Sequence, residues 1–330
     1  MTKKKKVSII AGGAGFIGVN LAKKLLSIGN EVVIGDDLSL GSKSNVVNFL
    51  GHDFIDFLEI DLSTPEEADR LFDFCIKSYG RIDEIWHLAA NSDIPAGVDN
   101  SDVDFKDTFL TTYVLLNTCK KYDVKIFNFA SSSAVYGDWG NLPLQESLGP
   151  LKPISNYGAM KLASEAQICA SAESFLSEAN IFRFPNVVGT PATHGVILDF
   201  LKKLENTPLL LDVLGNGTQK KSYLHVEELV DAMIFISYKA IRKSSVEIIN
   251  IGCSDNGIYV KDIAEIVRDI SSPKADINYG DSNRGWLGDV PKFSYDISYL
   301  KSLGYEPKYS SKEAVKLAAE NIFVERKLKK

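Results

Sequence analysis

The sequence predicts an α/β fold, a doubly wound parallel sheet with a smaller C-terminal α/β lobe, and three observations carry that expectation. Short β-branched runs alternate with longer helical patterns through the first half of the chain, the arrangement of parallel strands joined by right-handed crossovers. The strand runs are nearly all apolar, as required when helices cover both faces of a sheet. At 330 residues the chain is long enough to bury a large core, in one large domain or two interleaved ones.

Six runs read as strands in the first half: "VSIIA" (7–11), "EVVIGD" (31–36), "FIDFLEI" (54–60), "EIWHLA" (84–89), "KIFNFA" (125–130) and "NIFRF" (180–184). Helical patterns begin near Phe16, Pro65, Asp104 and Asn156. The character changes after Pro185, where "TPATHG" (190–195) and "LGNGTQKKSY" (214–223) are rich in turn residues. Short strands near 212–214, 221–224 and 246–251 then alternate with helices at about 197–205, 226–241 and 260–270. The expected division is a cofactor-binding domain over 1–185 and a smaller substrate lobe over 186–330, with 226–251 a candidate for return to the main sheet.

Composition excludes several functions. Apolar residues at 45% and charged residues at 24% describe an ordinary soluble globular chain. The net charge of −6 and the lack of a basic face interleaved with aromatics argue against a nucleic-acid partner, and Lys3 to Lys6 read as a solvated tail. Cys75, Cys119, Cys169 and Cys253 are far apart and form no CxxC pair, so they are expected as thiols in a reducing compartment. The histidines are equally dispersed, and His87 and His225 read as packed polar residues; no metal site is expected. The basic start of "KKKKVSIIAGGAGFIG" lacks a signal-peptide cleavage pattern, and no segment approaches a membrane-spanning length of unbroken apolar residues. The expected location is the cytoplasm, with no membrane partner.

The first strand runs into "AGGAGFIG", which opens a helix. Gly12 permits the tight turn, Gly15 lets backbone approach a pyrophosphate, and Gly18 lets the helix pack closely on the strand. Phe16 and Ile17 begin the helix whose N-terminal N–H groups face the phosphates. Asp36, eighteen residues beyond Gly18 and followed by Asp37, lies where an acid hydrogen-bonds the adenosine ribose. A carboxylate there also repels a 2′-phosphate, so NAD is expected over NADP. Asp61 and Leu62, at the end of the third strand, fall beside an adenine in this winding, and Leu88, Ala89 and Ala90 leave room for backbone contact with the middle of the cofactor.

"FASSSAVYG" (129–137) ends a strand on three serines, and "SNYGAMK" (155–161) places Tyr157 one helical turn before Lys161, on the same face. With these motifs, and with "GDDLSLG", "HLAA", "FRFPNVVG" and "NGTQKKSYLHVEEL", the sequence resembles the extended short-chain dehydrogenase/reductase family, in its nucleotide-sugar epimerase and dehydratase branch. The resemblance runs from about residue 7 to about 310 and implies a Rossmann-type sheet binding NAD, with a nucleoside-diphosphate sugar as substrate. It assigns Ser132, Tyr157 and Lys161 as the catalytic trio. A free phenol titrates near pH 10, too high for an efficient base. The Lys161 ammonium and the positive nicotinamide are therefore expected to lower the Tyr157 pKa, while Ser132 holds a sugar hydroxyl.

The resemblance also implies that Pro185 lies at the cofactor and that Asn186 meets the nucleotide diphosphate. It places Lys221 where relatives often carry a phosphate-binding arginine, a point charge in place of a planar fork. Arg284, in "NRGWLGDV", is the best candidate for the pyrophosphate because a bidentate arginine suits it, and Trp286 is a candidate wall of the sugar or base pocket. Ser133 lines the substrate beside Ser132. Dehydratase relatives place Asp-Glu directly after the catalytic serine, whereas this chain has Ser133-Ala134; elimination and decarboxylation are both poorly supported. An asparagine usual in the family's hydrogen-bond network is matched by Phe109, with Thr108 or Thr111 as substitutes. Three readings stay open: a 4-epimerase, a net C4 oxidoreductase on the same substrates, and a non-catalytic dinucleotide sensor. Helices over 104–121 and 156–175 correspond to those that pair relatives into homodimers through a four-helix bundle.

Overall fold

A computed structural model describes residues 5–50, 56–253, 255–282 and 292–328. In chain order the first elements are β1 (Val7–Ala11), α1 (Phe16–Ser27), β2 (Glu31–Asp36), α2 (Lys43–Leu50), β3 (Asp56–Glu59), α3 (Pro65–Tyr79) and β4 (Glu84–His87). Then come α4 (Ile94–Asp99), α5 (Ser101–Asp104), a π-helical turn (Phe105–Leu110), α6 (Thr111–Lys121), β5 (Ile126–Ala130), α7 (Asn156–Ala172), β6 (Glu178–Arg183) and β7 (Asn186–Val188). The rest comprises α8 (Val196–Asn206), β8 (Leu210–Val213), β9 (Lys220–Lys221), β10 (Tyr223–His225), α9 (Val226–Tyr238), β11 (Val246–Asn250), β12 (Ile258–Tyr259), α10 (Val260–Ser271), β13 (Asp276–Tyr279), α11 (Ser298–Ser302) and α12 (Ser311–Leu328).

Seven strands form one sheet in the order β11-β6-β5-β4-β1-β2-β3. The neighbours from β3 to β6 all pair in parallel, Ile9 standing opposite both Val33 and Ile85. The chain winds outward from β1 through β2 to β3, then restarts at β4 on the other side of β1. That reversal leaves a crevice beyond the carboxyl ends of β1 and β4, where doubly wound sheets bind ligands. Local chemistry explains the elements: α3 starts with Thr64 before Pro65, carries Glu66 and Glu67 in its first turn, and stops at Gly80 in the left-handed region. Ser155 caps α7, its hydroxyl accepting from the Gly158 N–H at 3.1 Å.

The doubly wound parallel sheet is the fold the sequence predicts; α2, α4, α11, α12, β7 and β13 add to the elements read from it, and two local differences bear on the site. The run read as 84–89 stops pairing at His87 because the N–H groups of Leu88 and Ala89 both turn to the Ala11 carbonyl, at 2.8 and 2.9 Å. The helix read from Asp104 is interrupted by the π-turn, a local widening that tends to mark functional sites.

Residues 5–135, 152–183 and 233–249 make one compact unit, and 136–151, 184–232 and 250–328 a second. In the first unit, Glu84 is fully buried on β4 and accepts from Ser8 Oγ, Trp86 Nε1, Lys6 Nζ and the Tyr238 hydroxyl. These partners satisfy a carboxylate that would be costly to bury alone, and they anchor the end of α9 to β1 and β4. The second unit has its own core, in which Ala314, Val315, Ala318, Ala319 and Ile322 of α12 pack with Leu198, Leu201 and Leu204 of α8 and Ile263, Ala264 and Val267 of α10.

Candidate active site

The glycine loop after β1 fits a dinucleotide. Gly12 has φ +79°, and a Cβ there would lie 2.5 Å from the Ala89 N, so the loop presses against the end of β4. Gly15 faces the opposite condition: the nearest atom to its would-be Cβ is Gly12 O at 3.5 Å, leaving an open approach to backbone at the start of α1. No side chain caps that helix start, so its N–H groups are available to an anion. Gly18 lets α1 pack on the loop itself, its would-be Cβ lying 2.4 Å from Gly12 O, rather than on the strand as the motif alone suggests. Phe16 and Ile17 are half-buried beside it.

Asp36 ends β2 with its carboxylate turned under the loop, accepting from the Ala14 N–H at 2.9 Å and the Leu38 N–H at 2.9 Å. Burial raises its pKa, against the lowering effect of those two N–H groups. Asp37 is exposed and accepts from Ser39. Asp61 accepts from Ser63 and pairs with Lys106 Nζ at 2.9 Å. Burial alone would raise its carboxyl, but the Lys106 and Ser63 contacts outweigh that and hold it below the usual range. Leu62 is buried behind it, and Leu88, Ala89 and Ala90 are half-buried past β4.

Ser132, Tyr157 and Lys161 meet beyond β5. Lys161 is 1% exposed, and its Nζ donates to the Ala130 carbonyl at 2.7 Å and lies 5.8 Å from the centre of the Tyr157 ring. Burial pushes this ammonium down to about 7, opposed by the Glu165 carboxylate one turn on. Tyr157 is half-buried. Burial pushes the phenol up to about 12, with a hydrogen bond to Ser132 lowering it and the Asp104 charge raising it further. The lowering expected of the Lys161 ammonium and the nicotinamide together is not seen from the protein's own groups, where burial dominates at the phenol and Lys161 Nζ is directed to the Ala130 carbonyl. Gly158 lets α7 approach the serine turn, since a Cβ there would lie 2.5 Å from Ala134 O.

The π-turn bears on the two threonines offered in place of the family asparagine. Thr108, not Phe109, is its fully buried residue: Oγ1 accepts from the Asn91 N–H at 3.2 Å, and its carbonyl has the hydroxyls of Thr111, Thr112 and Ser164 within 3.4 Å. Phe109 is half-buried, with its ring 6.1 Å from that of Phe105. Thr111 is occupied within its own turn, donating to the Asp107 and Thr108 carbonyls. His87 is buried against Phe127 and Phe129 with Nε2 2.9 Å from Thr112 Oγ1, a packed polar residue as read from the sequence. Sequence reasoning missed Ser131, Glu165 and Arg183, which hydrogen-bond one another behind the trio. The available signal was a charged residue inside the apolar run "NIFRF" and an acid one turn after Lys161.

Pro185, Asn186 and Lys221 belong to the second unit. There Pro185 is buried, Asn186 is exposed at the start of β7, which pairs in parallel with β10, and Lys221 lies on β9 opposite Ile258. Arg284 and Trp286 lie outside the described residues. Among the described residues no cluster of histidine, cysteine or acidic side chains suits a metal ion, and the four cysteines are free thiols.

Two predictions follow from this geometry. Lys161 binds a proton at about 7 when folded and near 10.5 otherwise. Between those values the unfolded chain holds the extra proton, so stability rises with pH across that window and is lost as pH falls toward 7. The urea midpoint of the wild type should rise from about pH 7 to about pH 9 relative to that of Lys161→Met; parallel curves would refute the buried ammonium. Asp36→Asn should weaken NAD binding by about tenfold, as expected for a lost charged acceptor, and relax discrimination against NADP. Titration with both cofactors measures this, and an unchanged preference would place the discriminating charge elsewhere.

Residues 8–252 match the NAD dependent epimerase/dehydratase family. A crystal structure of UDP-galactose 4-epimerase aligns at a TM-score of 0.83 and 33% identity, over 96% of this chain and 99% of that one. The UDP-glucose 4-epimerase of Thermotoga maritima, solved with UDP-glucose, aligns at 0.84 and 27% identity, over 98% and 99%. A putative UDP-glucose 4-epimerase of Methanocaldococcus jannaschii is 27% identical over 316 residues, 93% of this chain and 95% of the relative. The matched region spans the glycine loop, the end of β5 and the start of α7, and with them the chain belongs to the NAD-dependent epimerase/dehydratase family of enzymes.

Proposed function

We propose that the protein is an NAD-dependent nucleotide-sugar epimerase that acts on a UDP-hexose, inverting its C4 centre through a 4-keto intermediate. The observation that carries this reading is the convergence of Ser132, Tyr157 and Lys161 beyond β5 in the same unit as the glycine loop. It is supported by the end-to-end likeness to two UDP-sugar 4-epimerases. When bound, NAD supplies the hydride acceptor and donor. The open backbone at Gly15 and the start of α1 would take its pyrophosphate, Asp36 would meet its adenosine ribose, and Asp61 and Leu62 would flank its adenine.

Tyr157 takes the proton of the sugar hydroxyl as its C–H hydride leaves, and returns the proton when hydride comes back to the opposite face. Burial pushes its phenol up to about 12, and a bound nicotinamide would set a positive charge near it that favours the phenolate. Ser132 holds the reacting hydroxyl in line, and Ser133 lies next to it on the same turn. In the second unit, Asn186, Lys221 and Pro185 are offered to the nucleotide diphosphate and the cofactor end. The net oxidoreductase reading drew on Phe109 at the family asparagine's place and on "RGWLGDV", which lies outside the described residues; a buried, hydrogen-bonded Thr108 weakens the first of these grounds.

Tyr157→Phe should abolish turnover while leaving cofactor binding nearly intact, since only the proton acceptor is removed. With UDP-glucose, UDP-galactose and their N-acetylated counterparts, chromatography should show a new stereoisomer with no net growth of NADH absorbance. Steady NADH accumulation would mean dehydrogenation, and full activity in Tyr157→Phe would dismiss the base assignment.

A homodimer formed through the α6 and α7 region is also proposed, supported by Phe105 and Tyr113, which are 50% and 46% exposed on that side of the chain. Sedimentation at micromolar concentration should give twice the chain mass, and a monomer would rule it out. No described helix is long and apolar enough to cross a membrane, and the free thiols suit the reducing cytoplasm, where we place the enzyme.

A further inference from the structure

Behind the trio lies a buried ion pair that no step of the reaction uses. Arg183, at the end of β6, grips Glu165 of α7 with Nε to Oε1 at 3.0 Å and a terminal nitrogen to Oε2 at 2.6 Å. Ser131 Oγ donates to the same Oε1 at 2.5 Å. All three residues are buried. Glu165 follows Lys161 by one helical turn on the same face, and the two side chains reach adjacent residues: Lys161 the carbonyl of Ala130, Glu165 the hydroxyl of Ser131. Ser132 comes next in the chain.

We propose that the Glu165–Arg183 pair, tied to the end of β5 through Ser131, is a positioning set that fixes Lys161 against the serine turn and sets how much of the lysine is charged. Stability alone is a poor reason for such a pair, because well-packed apolar residues of the same volume commonly serve as well. The pair instead places a carboxylate one turn from an ammonium that burial would otherwise neutralise, and Arg183 limits how strongly that carboxylate acts. The other titratable groups facing this cluster are Tyr157 on α7, His87 on β4 and Cys169 one turn beyond Glu165. His87 is held neutral by burial and by Lys161, and burial raises the Cys169 thiol, so neither offsets Glu165. The proposal rests on the functional reading above for the role of Lys161, but its test does not depend on turnover.

The measurement is the titration midpoint of Lys161 in purified holoenzyme, by carbon-13 NMR of ε-labelled lysine with the resonance assigned through Lys161→Met. Glu165→Gln removes the favourable charge, so the midpoint should fall by on the order of one pH unit. Arg183→Gln unmasks Glu165 and removes a repelling cation, so the midpoint should rise. Opposite shifts are the expected result; no shift, or shifts of the same sign, would overturn the proposal. If either charge variant fails to fold, Ser131→Ala removes only a hydroxyl that shares the Glu165 negative charge. Its Lys161 midpoint should rise, and an unmoved midpoint would likewise overturn the proposal. Turnover surviving in Tyr157→Phe would leave these midpoints untouched, so failure of the functional reading is told apart from failure of this one.

Discussion

A buried ammonium needs both an acceptor and a counter-charge, and the end of β5 is built to supply them to Lys161. The Ala130 carbonyl takes the ammonium directly. The following residue, Ser131, ties the strand end to Glu165, and Glu165 is locked to Arg183 on the neighbouring strand. Three elements therefore converge within two residues of Ser132. Any movement of α7 along the sheet would break contacts at Ala130 and Ser131 together, which is why Tyr157, on the first turn of that helix, has a fixed partner in the serine turn. The close approach has a steric condition as well, since Gly158 leaves no room for a side chain against Ala134 O.

The cofactor end answers to a different constraint, the reversal of winding between β1 and β4. Because β4 returns beside β1, the glycine loop and the residues after His87 must share one crevice, and they do so at contact distance: Gly12 lies against Ala89, whose N–H together with that of Leu88 turns to Ala11 O. Asp36 closes the loop from the β2 side through Ala14. This carboxylate braces the loop through two backbone N–H groups, and under the proposed function the same carboxylate would also serve the ribose. A substitution there is expected to disturb loop geometry along with cofactor choice.

Much of this was legible from residue patterns because it depends on backbone periodicity. Apolar β-branched runs specify the strands, and the glycine spacing specifies the loop, whatever the neighbours are. The one-turn spacing of Tyr157 and Lys161 likewise fixes a shared helix face before any packing is known. What the pattern did not reveal depends on environment. The direction of the Tyr157 shift turns on the burial of the phenol and on where the Lys161 ammonium is spent, and neither is written in the spacing. The π-turn is a similar case. One extra residue in a helical turn rotates every later side chain, so the match of "DTFLTTYVLLN" to the family left Thr108 and Thr111 both open as substitutes for the asparagine, and only packing shows that Thr108 is the fully buried one. Arg183 was visible as a charge in an apolar run, but its partner sits eighteen residues earlier on another element.

The turn after Ser132 narrows the chemistry further. Elimination of the C6 hydroxyl from a 4-keto sugar needs a base for the proton on C5, the carbon beside the ketone, and an acid for the oxygen leaving C6. Ser133 and Ala134 stand at the place where such a pair would be carried on this turn. A serine hydroxyl is a weak acid and a weak base, and a methyl group is neither. The turn is also pressed onto α7 at Gly158, so it has little freedom to swing another residue into that place. A keto sugar formed against this surface meets no group on the turn able to drive elimination. Tyr157 can return its proton as hydride returns to carbon, and with the hydride delivered to the opposite face the net change is a single inverted centre.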